Sequence, residues 1–257
     1  MRILRTLLGI LALQPWFAAG QARVTQPGEA LTAQQIAERL AANNRRRHQD
    51  LRGYTGQREY HLLYTGFPMR LQADMVVRIQ YDAPDQKQFT IVSKSGSSLI
   101  VNRVFKRLLE TEKEASDAEG QARTAVTEAN YSFELIGSED LNGRPSYILK
   151  VEPKTDNKLL YRGKIWVDAA DFAVAKIEAT PAQPPSFWIS NTVVHHVYEK
   201  IGEFWLPEQN ESTSEIRVGG HAALSIQYRD YKIVPNAIVN LRQREGGSEA
   251  ADGSPPK

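Results

Sequence analysis

Between Tyr131 and Pro207 the chain reads YSFELIGSEDLNGRPSYILKVEPK, then LLYRGKIWVDAADFAVAKIEATPA, then PSFWI, then EFWLP. These are short β-type runs separated by turn signals about every ten residues, the cadence of an antiparallel meander. Asn142-Gly143 supplies two residues that tolerate positive φ, as a tight primed hairpin turn requires. Asp168 to Asp171 marks the next reversal. Tyr147, Leu149 and Val151 alternate with Ile148, Lys150 and Glu152, and Trp166 and Val167 point to opposite faces of the next strand.

The same period of two governs the flanks. From Tyr54 onward Tyr60, Leu62 and Tyr64 alternate with Glu59, His61 and Leu63, and Gly66-Phe67-Pro68 turns the chain. Leu71, Ala73, Met75, Val77, Ile79 and Tyr81 then point one way, with Gln72, Asp74, Arg78 and Gln80 on the other side. Ala83-Pro84-Asp85 leads into Phe89-Ile91, and Ser95-Gly96 ends that strand. Past Pro185 the segments 187–199, 204–206, 212–218 and 222–231 are strand-like, with Gly219-Gly220 as the last hairpin. Leu224, Ile226 and Tyr228 alternate with Ser225, Gln227 and Arg229. One face of this sheet is apolar and the other wet.

Two segments break the period. Thr32 and Gln35 form a T-x-x-Q capping box that starts a helix with Ile36 and Leu40 on one face. Its end carries Arg45, Arg46 and Arg47, read as a solvated last turn whose cations suit the helix dipole. A second helix runs from Leu99 to about Glu114, because Val101, Val104, Phe105 and Leu108 recur at i, i+3, i+4 and i+7. Gly120 suits a stop after the acidic stretch, and residues 121–130 suit either a short helix or a loop.

The N-terminus has the plan of a secretory leader over residues 1–22: Arg2 and Arg5, an apolar run from Ile3 to Leu13, and small residues at Ala18-Ala19-Gly20-Gln21-Ala22. Its apolar core is too short to span a bilayer. The whole chain has 32 basic and 30 acidic side chains, and removing two leader arginines leaves the remainder balanced. That balance argues against a nucleic-acid partner. The absence of cysteine excludes a disulfide framework, a thiolate nucleophile, a Cys-ligated metal and a lipidated cysteine at the cleavage site. One large domain over residues 23–241 comes after the leader, and the Gly/Pro-rich residues 242–257 are too polar to pack.

The hairpin LNGRPSYILKVEPK, the strand pair LLYRGKIWVDAADFAVAKIEA, PSFWI and FWLP together resemble the LolA/LolB superfamily of outer-membrane lipoprotein-sorting proteins, in particular its longer divergent members. The resemblance covers about two thirds of the chain, and its motifs are structural. It implies a mainly β fold with an α lid: a curved antiparallel unclosed β-barrel, or half-barrel, covered by two or three helices. It further implies a monomer in the periplasm that receives acyl chains of lipoproteins or other lipids from an inner-membrane exporter and passes them to an outer-membrane acceptor. The alternative within the same fold is a periplasmic lipid-sensing regulatory module.

The sequence carries no G-x-S-x-G, P-loop or H-E-x-x-H motif. His195, His196 and Glu199 in HHVYE are the best metal-like group, yet a metal needs a third ligand that the sequence does not bring there. No catalytic residue, cofactor or metal is therefore assigned, and a hydrolase reading rests on HHVYE alone. The paired acids Asp168/Asp171 and Glu139/Asp140 sit in turns, where such residues serve local hydrogen bonding. An apolar face on a long sheet must be covered, and a few modest helices can close over it without filling it. The expected lining of an acyl cavity is Leu71, Met75, Val77 and Ile79, with Leu149, Trp166, Leu224 and Ile226 from other strands. Val101, Val104, Phe105 and Leu108 close it from the helix.

Overall fold

The structure, a computed structural model, describes residues 31–236. The expected leader, its cleavage site and the C-terminal tail lie outside the described residues. The order along the chain is α1 (Ala33–Asp50), β1 (Leu51–Thr65), β2 (Arg70–Asp82), β3 (Gln86–Gly96), a helical segment, then β4 (Tyr131–Leu141), β5 (Arg144–Pro153), β6 (Tyr161–Asp168), β7 (Val174–Pro181), β8 (Ile189–Ile201), β9 (Phe204–Ile216) and β10 (His221–Pro235).

All ten strands join one antiparallel sheet in the order β3-β2-β1-β10-β9-β8-β7-β6-β5-β4. Neighbours in this order are neighbours in sequence except at one place, where β1 pairs with β10 from Leu51↔Pro235 to Thr65↔His221. That pairing makes the edges β3 and β4, which are consecutive in the chain. The sheet is a curved half-barrel that does not close, and the helical connection runs from one open edge to the other. At the β4–β5 hairpin Asn142 and Gly143 take φ of 55° and 82°, and the Asp140 carboxylate accepts from the Gly143 N–H at 2.6 Å. The turn that Asn-Gly demands is therefore the one formed.

α1 begins with the expected capping box: the Gln35 N–H donates to Thr32 Oγ1, and the Thr32 N–H donates to Gln35 Oε1. Ile36 and Leu40 are fully buried. The second helix opens with a π-helical stretch over Ile100–Phe105 and continues as α2 (Lys106–Glu114). The wider π turn rotates the α-helical turns beyond it, so the buried positions are Ile100, Val101, Phe105 and Leu109, while Val104 and Leu108 are only partly covered. Gly120 is not a stop. It lies inside α3 (Ala118–Thr124), where a Cβ would come within 2.7 Å of the Glu114 carbonyl oxygen. Residues 204–206 and 212–218, read separately in the sequence, fall on the single strand β9, which ends at Ile216, and Phe187 and Trp188 precede β8 instead of entering it. Among the described residues no helix is long and apolar enough to cross a membrane.

Candidate functional site

Strand register places Leu149, Ile165, Ile177, His196, Asn210, Ile226, Tyr60 and Met75 as successive cross-strand partners along one row of the inner face. Two helical elements cover this row at different places, and they cover it differently.

At the β1–β2–β3 end the face is filled. Met75, Val77 and Phe105 are almost wholly buried, in one cluster with Tyr60, Leu62, Ile100, Val101 and Leu109. Leu71, Val104, Leu108, Leu224 and Ile226 pack against it. An ion-pair network pins α2 here: both Arg58 Nη atoms donate to the Glu112 carboxylate, the Nη2–Oε1 contact being 2.8 Å, and Lys87 Nζ lies 2.8 Å from Oε1. The Arg58 guanidinium lies over the rings of Tyr228 and Phe89, at 4.9 and 5.5 Å. Despite burial, the adjacent Arg58 and Lys87 hold the Glu112 carboxyl down at about 2.

An open cavity lies elsewhere, beneath the C-terminal end of α1. The β6–β7 turn anchors that end. Asp168, buried, accepts from the N–H groups of Ala170 and Asp171 at 3.1 and 2.7 Å and from Arg144 Nε at 2.6 Å. This arrangement presents the Asp171 and Phe172 carbonyls to α1. Arg47 donates to both, at 2.9 and 2.8 Å, and Asn43 donates to the first at 3.0 Å. Arg47 is thus a clamp and not the solvated end expected; of the three arginines only Arg45 and Arg46 are exposed. Asp171 is itself held by Arg144, Lys200 and the Trp205 indole N–H, which keep its carboxyl below the ordinary range.

The cavity so framed measures about 300 Å³. Leu51, Val126, Val174, Ile177, Phe204 and Leu206 form its apolar wall, and Asn44, Arg47, His48 and Tyr198 supply polar groups. A few convergent polar groups on an apolar wall are the usual make-up of a small-ligand site, and the volume is at the low end of that class.

None of the twelve residues expected to line a cavity lines this one. Leu71, Met75, Val77, Val101, Val104, Phe105, Leu108, Leu224 and Ile226 meet in the packed cluster under α2, and Ile79 in its neighbour with Leu51, Phe204 and Leu206. Leu149 shares the inner face two strands from Ile177. Trp166 is on the opposite face, since it pairs with Ile148 and Lys176 while Leu149 pairs with Ile165. Its indole donates to Glu139 at 2.6 Å under the Lys176 ammonium. HHVYE is divided in the same way: His196 opposes Ile177 on the inner face, and His195 opposes Glu178 on the outer. Among the described residues no three His, Asp or Glu side chains gather as a metal site.

Residues 107–243 match the model of a family described as "Uncharacterized protein". No curated protein matches the sequence. Solved structures similar to the chain include a DUF1329 family protein from Desulfovibrio piger, at 11% identity and TM-score 0.42, covering 79% of this chain and 94% of that one. A LolA superfamily protein from Nitrosomonas europaea is similar at 13% identity and TM-score 0.34, covering 82% and 97%. A putative outer membrane lipoprotein-sorting protein domain from Vibrio parahaemolyticus is similar at 11% and 0.36, covering 77% and 93%.

Proposed function

The chain belongs to the family whose model spans its residues 107–243, and we propose that it is a periplasmic carrier that binds the acyl chain of a lipoprotein or another lipid and passes it toward the outer membrane. The observation that carries the reading is the cavity under α1. Its wall of Leu51, Ile177, Phe204 and Leu206 suits hydrocarbon, and at the α1 side His48 and the Asn44 amide N–H groups stand beside the positive charge of the clamped Arg47, where an ester or carboxylate head can be met.

Transfer needs no covalent step. A donor at the inner membrane and an acceptor at the outer membrane exchange the chain according to which of them binds it better. The modest volume of the cavity, about 300 Å³, favours a second reading, a lipid-sensing regulatory module in which one small ligand reports on the membrane without being ferried.

Titration of the purified protein with a fluorescent fatty-acid probe tests the site. Wild type is expected to bind, and Ile177→Trp, which fills the cavity from the sheet side, is expected to weaken binding about tenfold or more at a stability cost of no more than about 1–3 kcal/mol. A wild-type protein that takes up no acyl probe and co-purifies with no lipid ends the carrier reading.

A further inference from the structure

At the end of the half-barrel opposite the cavity, three loops meet and expose large apolar side chains. Phe67 and Met69, between β1 and β2, are 98% and 55% exposed; Phe187 and Trp188, before β8, are 76% and 58%; Val218, between β9 and β10, is 70%. Single exposed hydrophobics are ordinary on any protein surface, so the contact between the loops decides the matter. The Tyr64 hydroxyl donates to the Gly219 carbonyl at 2.9 Å, and a Cβ on Gly220 would stand 2.7 Å from Gly66 Cα. The Arg217 N–H donates to the Trp188 carbonyl at 2.9 Å, and its guanidinium lies 5.5 Å over the Phe187 ring, which meets the Trp188 ring edge-on at 5.4 Å. The five side chains therefore form one rim.

We propose that this rim docks the protein on a bilayer surface containing anionic lipid. Residues 66–70, 186–188 and 217–220 include two arginines, Arg70 and Arg217, and no carboxylate. Phe, Trp, Met and Val on projecting loop tips suit insertion among headgroups, where Trp and its like gather, and arginine beside them suits lipid phosphate. A protein ligand in extended or helical form instead takes a sheet edge or a groove, and the rim offers neither. Leu51 at the cavity and Thr65 at the rim are the two ends of β1. Docking at the rim thus leaves the cavity free, and the proposal does not depend on what the cavity binds.

The test is co-sedimentation of the chain with vesicles of phosphatidylethanolamine and phosphatidylglycerol, compared with phosphatidylcholine alone. Wild type is expected to sediment with the anionic vesicles and far less with the neutral ones. Phe67→Ser with Trp188→Ser is expected to lower vesicle affinity about tenfold or more, since two aromatic anchors are lost, with circular dichroism unchanged because both sites are exposed. Arg70→Gln with Arg217→Gln is expected to abolish the preference for phosphatidylglycerol. No sedimentation with either vesicle overturns the proposal. So does sedimentation that survives the double serine variant, and so does capture of a protein by the aromatic rim without vesicle binding.

Discussion

His196 sits in the middle of the inner-face row, with Ile177 and Asn210 as cross-strand partners and the Tyr161 ring edge-on at 5.6 Å. Burial, with the charge of His195 adding to it, lowers its pKa from 6.5 to about 4. Folded protein therefore keeps this imidazole neutral at a pH where the unfolded chain protonates it. Between pH 6.5 and about 4 the unfolded state binds more protons, so stability falls as pH falls through that window and the contribution is constant below it. One such group gives a slope of up to about 1.4 kcal/mol per pH unit. Urea denaturation across this window is expected to show that slope in wild type and a flatter one in His196→Gln; an unchanged slope in the variant assigns the effect to other groups. The sequence shows two adjacent histidines on a strand, and alternation alone says that they face opposite ways. Which one faces inward depends on pairing His196 with Ile177, and that register is not written locally.

Among the elements, α2 shows how far periodicity carries. The spacing of Val101, Val104, Phe105 and Leu108 correctly marks a helix with an inward stripe, but the π turn at Ile100–Phe105 moves the stripe to Leu109 and leaves Leu108 at its border. It also brings Glu112 over the sheet to Arg58, a residue that β1 carries on its inner face among apolar neighbours. A lone arginine at an inward strand position was a legible signal that a carboxylate must come to it, although its source 54 residues away was not. Arg47 is the parallel case on α1, because its partners are backbone carbonyls in the β6–β7 turn, which no side-chain pattern announces. Breaking the Arg58–Glu112 pair from one side leaves a buried guanidinium with no bidentate partner. Glu112→Gln is expected to cost about 3 kcal/mol in chemical denaturation. Arg58→Met combined with Glu112→Gln is expected to recover much of that, because the uncompensated charge is gone. A double variant as unstable as the single one shows that packing, not charge, holds α2 down.

At the scale of the molecule, the meander was readable from its turns, from Asn142-Gly143 to Gly219-Gly220, because each hairpin is a local event. The pairing of β1 with β10 is not local, and it decides which strands become edges and where the helices must cross. Cover and cavity arise from that crossing: α2 fills the face it was expected to roof, and α1, clamped to the β6–β7 turn, leaves room beneath its last turn. The two covers make opposite demands on substitution, which separates stability from binding. Phe105 is fully buried in a packed cluster with its ring 5.6 Å from that of Tyr60, so Phe105→Ala is expected to cost about 3–5 kcal/mol of unfolding free energy. Because Phe105 lies outside the cavity wall, the surviving folded protein is expected to hold a fatty-acid probe with affinity within about threefold of wild type. Ile177→Trp is expected to do the reverse, losing the probe at a smaller stability cost of about 1–3 kcal/mol. Paired measurement of melting and probe titration on both variants decides the matter. Lost binding in Phe105→Ala with intact binding in Ile177→Trp returns the acyl chain to the space under α2, where it can enter only if Arg58 and Glu112 part.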